Sequence, residues 1–328
     1  MASADHIKAL IKSHADADDV RFYSIALQVA AQAARSGHSK FAQELREIVD
    51  EVRQRGGKEL ASRAKPVVPL VQPRGELAGL LVVHYPKARL GELALTDEAQ
   101  QRVDRVLREQ RNRERLREHG FAPVRKLLLL GHPGTGKTMT ASVLAGELGL
   151  PLFTVQLHGL ITKYMGETAA KLRLVFDAIA ETRAVYLFDE FDALGGERAS
   201  KNDVGEIRRV LNSFLQFLEQ DESDSLILGA TNHPSLLDRA LFRRFDAVIE
   251  YDLPPPVIIE RLLRGRLALL DTEQVSWSRA VAAASGLSHA EIVRACEQAA
   301  KNALLDHRTQ ITTQDLMDSM AERRVNER

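Results

Sequence analysis

Gly131-His132-Pro133-Gly134-Thr135-Gly136-Lys137-Thr138 is the stretch that decides the fold. It matches G-x-x-x-x-G-K-[S/T], follows the unbroken apolar run Leu127–Leu130 and opens a helical pattern over Met139–Gly149. That strand–loop–helix setting is the one in which the pattern carries meaning. Glycines let backbone N–H groups close around phosphate oxygens, and a helix N-terminus adds a favourable dipole. Lys137 would then reach the β- and γ-phosphates, and Thr138 would hold Mg²⁺. A chance glycine-rich turn is the competing reading, and the flanking pattern argues against it.

Working outward, the apolar segment Ala184–Phe188 ends in Asp189-Glu190. Carboxylates at a strand end, about 50 residues after a phosphate loop, suit hydrolysis: Asp189 would position Mg²⁺ and Glu190 would orient and deprotonate the attacking water. Further unbroken apolar runs lie at 126–130, 152–157, 226–229 and 247–251. Unbroken rather than alternating runs predict strands buried on both faces. The expected fold is therefore α/β: a five-stranded parallel sheet with flanking helices. After Pro254-Pro255-Pro256 only helical patterns remain, which predicts a small C-terminal helical domain.

Upstream, apolar residues recur at helical spacing through residues 1–57, which predicts a small helical bundle. Residues 58–87 read as a connector broken by Pro66, Pro69 and Pro73, with an apolar segment, Leu80–Val83, that suits a short strand. The expected layout is thus 1–57 helical bundle, 58–87 connector, 88–253 α/β part and 254–328 helical domain.

The 328 residues are 45% hydrophobic and 27% charged, enough apolar material for a sizeable core. Forty-five basic residues balance 45 acidic ones, so no general pull toward nucleic acid or anionic membrane exists. A single cysteine, Cys296, excludes an internal disulfide framework and a multi-cysteine zinc site, and it reads as a core residue on a helix. The N-terminus lacks a secretory pattern, and the apolar runs fall far short of the ~20 residues that span a bilayer. A cytoplasmic location is the expectation. No Asn-Lys-x-Asp guanine-reading motif is present, which argues against a GTPase.

Four segments in order, the phosphate loop, Leu187–Leu194, Ala230-Thr231-Asn232 and Leu237–Asp246, resemble the AAA branch of the AAA+ ATPases. The likeness runs from about residue 89 to 321. It implies ATP and Mg²⁺ as cofactors, with His132, Pro133, Gly134, Thr135, Gly136, Lys137, Thr138 and Met139 around the nucleotide. Asn232 matches the polar sensor that aligns the attacking water. Arg243 and Arg244 match arginine fingers that enter the neighbouring subunit's site, which implies a homo-hexameric ring. The family often separates its two arginines by Pro-Gly. Here they are adjacent, as in katanin- and spastin-like members, and which one does the main work stays open.

Gly286-Leu287-Ser288-His289-Ala290-Glu291 resembles the family's Gly-x-Ser-Gly-Ala-Asp lid motif, with departures at His289 and Glu291. His289 and Ala290 are thereby implied near the nucleotide. A simpler reading, a helix start capped by Ser288, holds alongside it. Lys163-Tyr164-Met165 matches the pore loop, in which an aromatic ring faces a central channel and grips an extended polypeptide. Residues 195–203 match a second pore loop. The implied activity is protein unfolding or remodelling by threading.

The sequence carries no His-Glu-x-x-His helix and no Gly-x-Ser-x-Gly elbow. The layout is also similar to bacterial AAA ATPases encoded beside a subtilisin-like serine protease in two-gene plasmid-maintenance or phage-defence modules. That implies a separate serine protease as partner. The N-terminal helices read as a recruiter of substrate or partner, or as a packing extension. Two rival functions remain: a nucleic-acid-associated motor or loader, and a nucleotide-gated scaffold. The stretch Arg102–Arg117, which reads as one arginine-rich helix, supports the former, although Asp104, Glu109, Glu114 and Glu118 interleave with it.

Overall fold

The computed structural model describes residues 29, 43, 72–160, 165–191, 204–236 and 239–326. The chain divides into two compact units, Met1–Pro69 and Leu70–Arg328. The architecture below is that of the second. The bundle expected over 1–57 lies outside the described residues, apart from Val29 and Gln43.

Each unbroken apolar run forms a strand because it has a layer of helices to cover either face. The strands are β1 (Leu81–His84), β2 (Lys126–Gly131), β3 (Leu152–Val155), β4 (Val185–Phe188), β5 (Leu226–Thr231) and β6 (Ala247–Tyr251), in the order β1-β3-β4-β5-β2-β6. Strands β2 to β6 are parallel to one another. The sheet has six strands rather than the five expected, and it is mixed: β1 runs antiparallel to β3, with Leu81 opposite Val155 and His84 opposite Leu152. Leu80 and Leu81 are buried in the core, so the stretch read as connector up to residue 87 supplies an edge strand.

Successive side chains of a strand point to opposite faces. Leu127 and Leu129 of β2 therefore pack with α1 (Asp97–Arg111) and α3 (Lys137–Leu148), through Val103, Val106, Leu107, Ala141 and Leu144. Between those two helices in sequence, α2 (Arg113–Glu118) is a short separate turn of helix. Leu128 and Leu130 pack on the other face, where α4 (Leu157–Leu160), α5 (Met165–Glu181) and α6 (Val204–Gln220) supply Leu160, Val175, Phe176, Phe214 and Leu218. Each fully buried leucine contributes about 1.5–3 kcal/mol relative to exposure.

On this second face an aromatic cluster fixes the end of β4. Phe188 meets Phe214 edge-on at 5.0 Å, and Phe191 meets Phe214 at 4.7 Å. Contacts of this kind add about 0.5–1.5 kcal/mol each beyond their buried area. Phe188 and Phe191 flank Asp189-Glu190, so packing holds the carboxylate-bearing turn in place.

The run Arg102–Arg117 is not one helix. It breaks at Asn112, whose side-chain Nδ2 donates to Arg108 O at 2.8 Å. Such local side-chain bonds offer the backbone an alternative to the helical ladder.

After β6, α8 (Pro256–Arg266), α9 (Trp277–Ala284), α10 (His289–Leu305) and α11 (Thr313–Asn326) form a helical layer with its own core, which includes Leu263, Ala280, Ile292, Leu316 and Met320. Cys296 belongs to that core, and burial pushes its thiol up to about 12, too high for a thiolate at neutral pH. Helix α10 begins with a reciprocal cap: Ser288 Oγ accepts from the Glu291 N–H at 3.3 Å, and Glu291 Oε2 accepts from the Ser288 N–H at 3.2 Å. The Glu291 departure from the family pattern thus completes a capping box. Among the described residues no helix is long and apolar enough to cross a membrane.

Candidate nucleotide site

The C-terminal ends of β2, β4 and β5 carry the candidate residues to one place, because parallel strands align their ends. Gly131 closes β2 with φ +147°, in the region that favours glycine. Gly136 is the N-cap of α3 at φ +110°, has no side-chain cap, and a Cβ added there would meet nothing within 4 Å. The first N–H groups of α3 are therefore uncapped beside open space, an arrangement that fits a phosphate group. Lys137 Nζ donates to Gly131 O and His132 O, both at 2.7 Å, which folds the ammonium over the loop. Thr135 Oγ1 also donates to His132 O, at 2.7 Å.

At the end of β4, Asp189 Oδ2 accepts from Thr138 Oγ1 at 2.7 Å, and Asp189 Oδ1 accepts from the Glu190 N–H at 2.9 Å. A hydroxyl and a carboxylate brought together are hard oxygen donors of the kind Mg²⁺ takes. Among the described residues no cluster of three or more His, Cys, Asp or Glu is placed to hold a metal. Glu190 sits at φ +52°, an uncommon conformation for a side chain with a Cβ, at a cost of about 1–3 kcal/mol. Its hydrogen bond to Asp189 and the packed rings on either side hold it there.

Lys137, Thr138, Asp189, Glu190 and Asn232 share one cavity of about 760 Å³. Pro133, Gly134, Thr135, Gly136 and Met139 line it too, as do His289 and Ala290 from the lid. The volume suits a nucleotide-sized ligand. His132 is exposed and is not in the wall, so its contribution is the carbonyl that receives Lys137 and Thr135. The lid closes on the loop: the Ala290 N–H donates to Gly134 O at 2.9 Å, and a Cβ on Gly134 would come within 2.6 Å of Ser288 Oγ.

Arg243 and Arg244 follow the short helix α7 (Arg239–Phe242) and are exposed. Neither lines the cavity of its own chain. Arg244 forms an ion pair with Glu219 near the end of α6. The segment is braced by its next two residues. Phe245 is buried, edge-on to Phe191 at 6.5 Å, and Asp246 Oδ2 accepts the N–H groups of Arg125 and Lys126 at 2.9 Å each. A ring contact therefore joins the arginine segment to the end of β4. Lys163, Tyr164 and the segment 195–203 lie outside the described residues; Met165 opens α5.

Sequence reading does not find the far wall of the cavity. Leu93, Ala94 and Leu95 precede α1, Leu262 lies on α8 and Val293 on α10. They come from separate segments and share no periodicity. The anchoring role of Asp246 is also invisible, although its place after Arg243-Arg244-Phe245 is a signal that could have drawn attention to it.

The tight turn at Gly131 gives a direct test. A Cβ there would overlap Tyr251 O, and Tyr251 cannot retreat freely because its hydroxyl donates to Thr140 Oγ1 at 2.7 Å. Gly131→Ala is expected to destabilise the fold by about 2–4 kcal/mol. Gly91→Ala, where a Cβ would meet nothing within 4 Å, is the control. Urea midpoints check this, and equal midpoints for the two variants would show that the loop does not depend on Gly131.

A family model described as "ATPase family associated with various cellular activities (AAA)" matches residues 127–253. The "Uncharacterized AAA family ATPase y4kL" of Sinorhizobium fredii is 33% identical over 96% of this chain and 93% of its own length. The "ATP-dependent zinc metalloprotease FtsH" of Lancefieldella parvula is 33% identical over 70% of this chain and 37% of its own. The "Proteasome-activating nucleotidase" of Methanoregula boonei is 32% identical over 63% of this chain and 49% of its own. The chain thus spans about a third to a half of those last two relatives. Among solved structures, the FIGL-1 AAA domain shares the fold, with a TM-score of 0.61, 22% identity, and coverage of 79% of this chain and 92% of that one. The end-to-end match at 33% identity, together with the phosphate loop and the acidic end of β4 in one cavity, makes this chain a member of the AAA family of ATPases, a nucleotide-binding enzyme that hydrolyses ATP.

Proposed function

We propose that this ATPase is a cytoplasmic, ring-forming motor that threads polypeptide through a central pore, and that its ring is a homo-hexamer. The observation that carries the reading is the split site: Lys137, Thr138, Asp189, Glu190 and Asn232 share a cavity from which the exposed Arg243 and Arg244 are absent. One arginine, Arg266 of α8, does line the cavity; the pair that resembles arginine fingers stands outside it, where a second copy would use it to stabilise the transition state.

In this reading Lys137 and the N–H groups of the loop bind the phosphates. Thr138 and Asp189 hold Mg²⁺, which when bound neutralises charge on the phosphate oxygens. Glu190 orients a water and takes its proton, while Asn232 keeps that water in line. Arg243 and Arg244 of the neighbouring copy stabilise the charge that develops on the transferred group.

Polypeptide as substrate is supported by two relatives whose names couple nucleotide use to proteolysis, a metalloprotease and a proteasome activator. The sequence resemblance of Lys163-Tyr164-Met165 to a pore loop points the same way. With no peptidase motif in the sequence, degradation is assigned to a separate serine protease, and residues 1–57 to recruitment of substrate or partner. The nucleic-acid reading has less support. Of the seven arginines in 102–117, Arg102, Arg105, Arg111, Arg113 and Arg117 are ion-paired with carboxylates of this chain.

Unfolding of a folded fluorescent reporter that carries an unstructured tail tests the proposal. Wild type is expected to extinguish the fluorescence in an ATP-dependent manner. Tyr164→Ala is expected to lose at least about tenfold in unfolding rate and far less in ATP turnover, because a ring that grips substrate contributes nothing to hydrolysis itself. Parallel loss of both rates in that variant would count against threading.

A further inference from the structure

Two side chains of the C-terminal helical layer reach across to consecutive backbone carbonyls of the α/β part. Arg261 Nη2 of α8 donates to Leu95 O at 2.8 Å. His289, the first residue of α10, stands with Nε2 2.9 Å from Ala94 O. A backbone carbonyl can only accept, so Nε2 carries the proton. Burial of the ring, and after it the nearby Arg261 charge, holds the histidine below its ordinary pKa against the opposing effect of the Ala94 bond. The ring is therefore neutral at pH 7. Its Nδ1 is buried without a partner, a cost that offsets much of what the Nε2 bond contributes. Arg261 is thus the stronger of the two grips, since a charged donor makes the stronger kind of hydrogen bond.

The segment they hold is part of the nucleotide cavity. Ala94 and Leu95 both line it, whereas Arg261 does not. The two residues form a short link between a 3₁₀ turn (Leu90–Glu92) and α1, so no ladder of a helix or strand fixes them. From the other side, α8 and α10 place Leu262 and Val293 in the same cavity, and the Ala290 N–H reaches Gly134 O of the phosphate loop. The link and the two helices therefore face each other across the site, and each bond between them adds to the barrier for parting them.

We propose that Arg261 is a positioning residue of this ATPase: its bond to Leu95 O clasps the helical layer to the Ala94–Leu95 wall and slows the release of bound nucleotide. This rests on the nucleotide-site reading above and adds a residue that controls how long the product stays. Arg261 is not itself in the cavity wall, so it acts only through Leu95. Parting of the wall from α8 breaks the bond, and a chain without that bond opens more often and lets ADP out sooner.

Release of fluorescently labelled ADP from the full chain, chased with excess unlabelled ADP in a stopped-flow instrument, tests the assignment. Arg261→Ala is expected to quicken release by about fivefold or more. Arg261 is exposed, so the change leaves no hole in the core. Arg261→Lys keeps the charge but offers a shorter, single-point donor, and its rate should fall between those of Arg261→Ala and wild type. Arg264→Ala is the control. Arg264 lies on the same helix, pairs with Glu260 and lies over the Trp277 ring, and its loss should leave release as in wild type. Release from Arg261→Ala within about twofold of wild type would overturn the proposal. An equal acceleration in Arg264→Ala would also overturn it, because it would mark a general loosening of α8. Failure of wild type to bind the labelled ADP would overturn the nucleotide-site reading instead.

Discussion

Glu190→Gln is expected to lower ATP turnover by about 10²–10⁴-fold and to leave nucleotide affinity nearly unchanged. The expectation follows from where the carboxylate sits. Glu190 lines the cavity but forms none of the bonds that hold the phosphate loop together, which are made by Lys137, Thr135, Thr138 and Asp189. The amide has the size of the carboxylate and keeps the backbone N–H that bonds Asp189, so the left-handed turn survives the change. What it loses is the ability to take a proton. Phosphate release and equilibrium binding, measured side by side, separate the two effects. Loss of binding in step with turnover would show that Glu190 shapes the site rather than serving as its base. The same variant is a means of holding substrate: an ATP-bound, non-hydrolysing ring should retain whatever polypeptide it grips.

Arg243→Ala is expected to lower turnover by about 10³-fold or more, within the range known for arginines that act on a transferring phosphoryl group. Binding of nucleotide by the isolated variant subunit should match that of the isolated wild-type subunit, since Arg243 is not in its own chain's cavity. Arg244→Ala is expected to be milder. Arg244 already has a partner in its own chain, Glu219, whereas no ion pair of Arg243 is present among the described residues. That pair is exposed and adds little to stability, but it biases Arg244 toward a bracing role. Phosphate release by the two variants at one protein concentration gives the order. A greater loss in Arg244→Ala would reverse the assignment.

Much of the fold was legible because burial on both faces leaves an unbroken apolar run. Leu127–Leu130 is such a run, and both of its faces are covered. Strand β1 was harder to read: only one of its four residues, Leu81, is buried, and its antiparallel pairing with β3 is settled by tertiary contact rather than by its own pattern. The arginine-rich stretch 102–117 reads as continuous helix because a break at Asn112 depends on one side-chain bond to Arg108 O. In the site, Lys137, Thr138, Asp189 and Glu190 were legible from fixed spacing around a phosphate loop. The far wall of the cavity was not, since Leu93–Leu95, Leu262 and Val293 meet only once the chain has folded. Glu291 looked like a weakened lid motif in sequence, and its place in the capping box with Ser288 gives the departure a structural use.

The central claim is that each site takes its arginine from another copy of the chain. Mixing two inactive variants tests it most directly. Arg243→Ala subunits keep an intact Glu190 but offer no arginine to their neighbours. Glu190→Gln subunits cannot hydrolyse but still present Arg243. Mixed and allowed to assemble, they should recover a substantial fraction of wild-type turnover, at sites where an intact Glu190 faces a neighbour's Arg243. A mixture as inactive as its components, under conditions where the two are shown to co-assemble, would contradict the account.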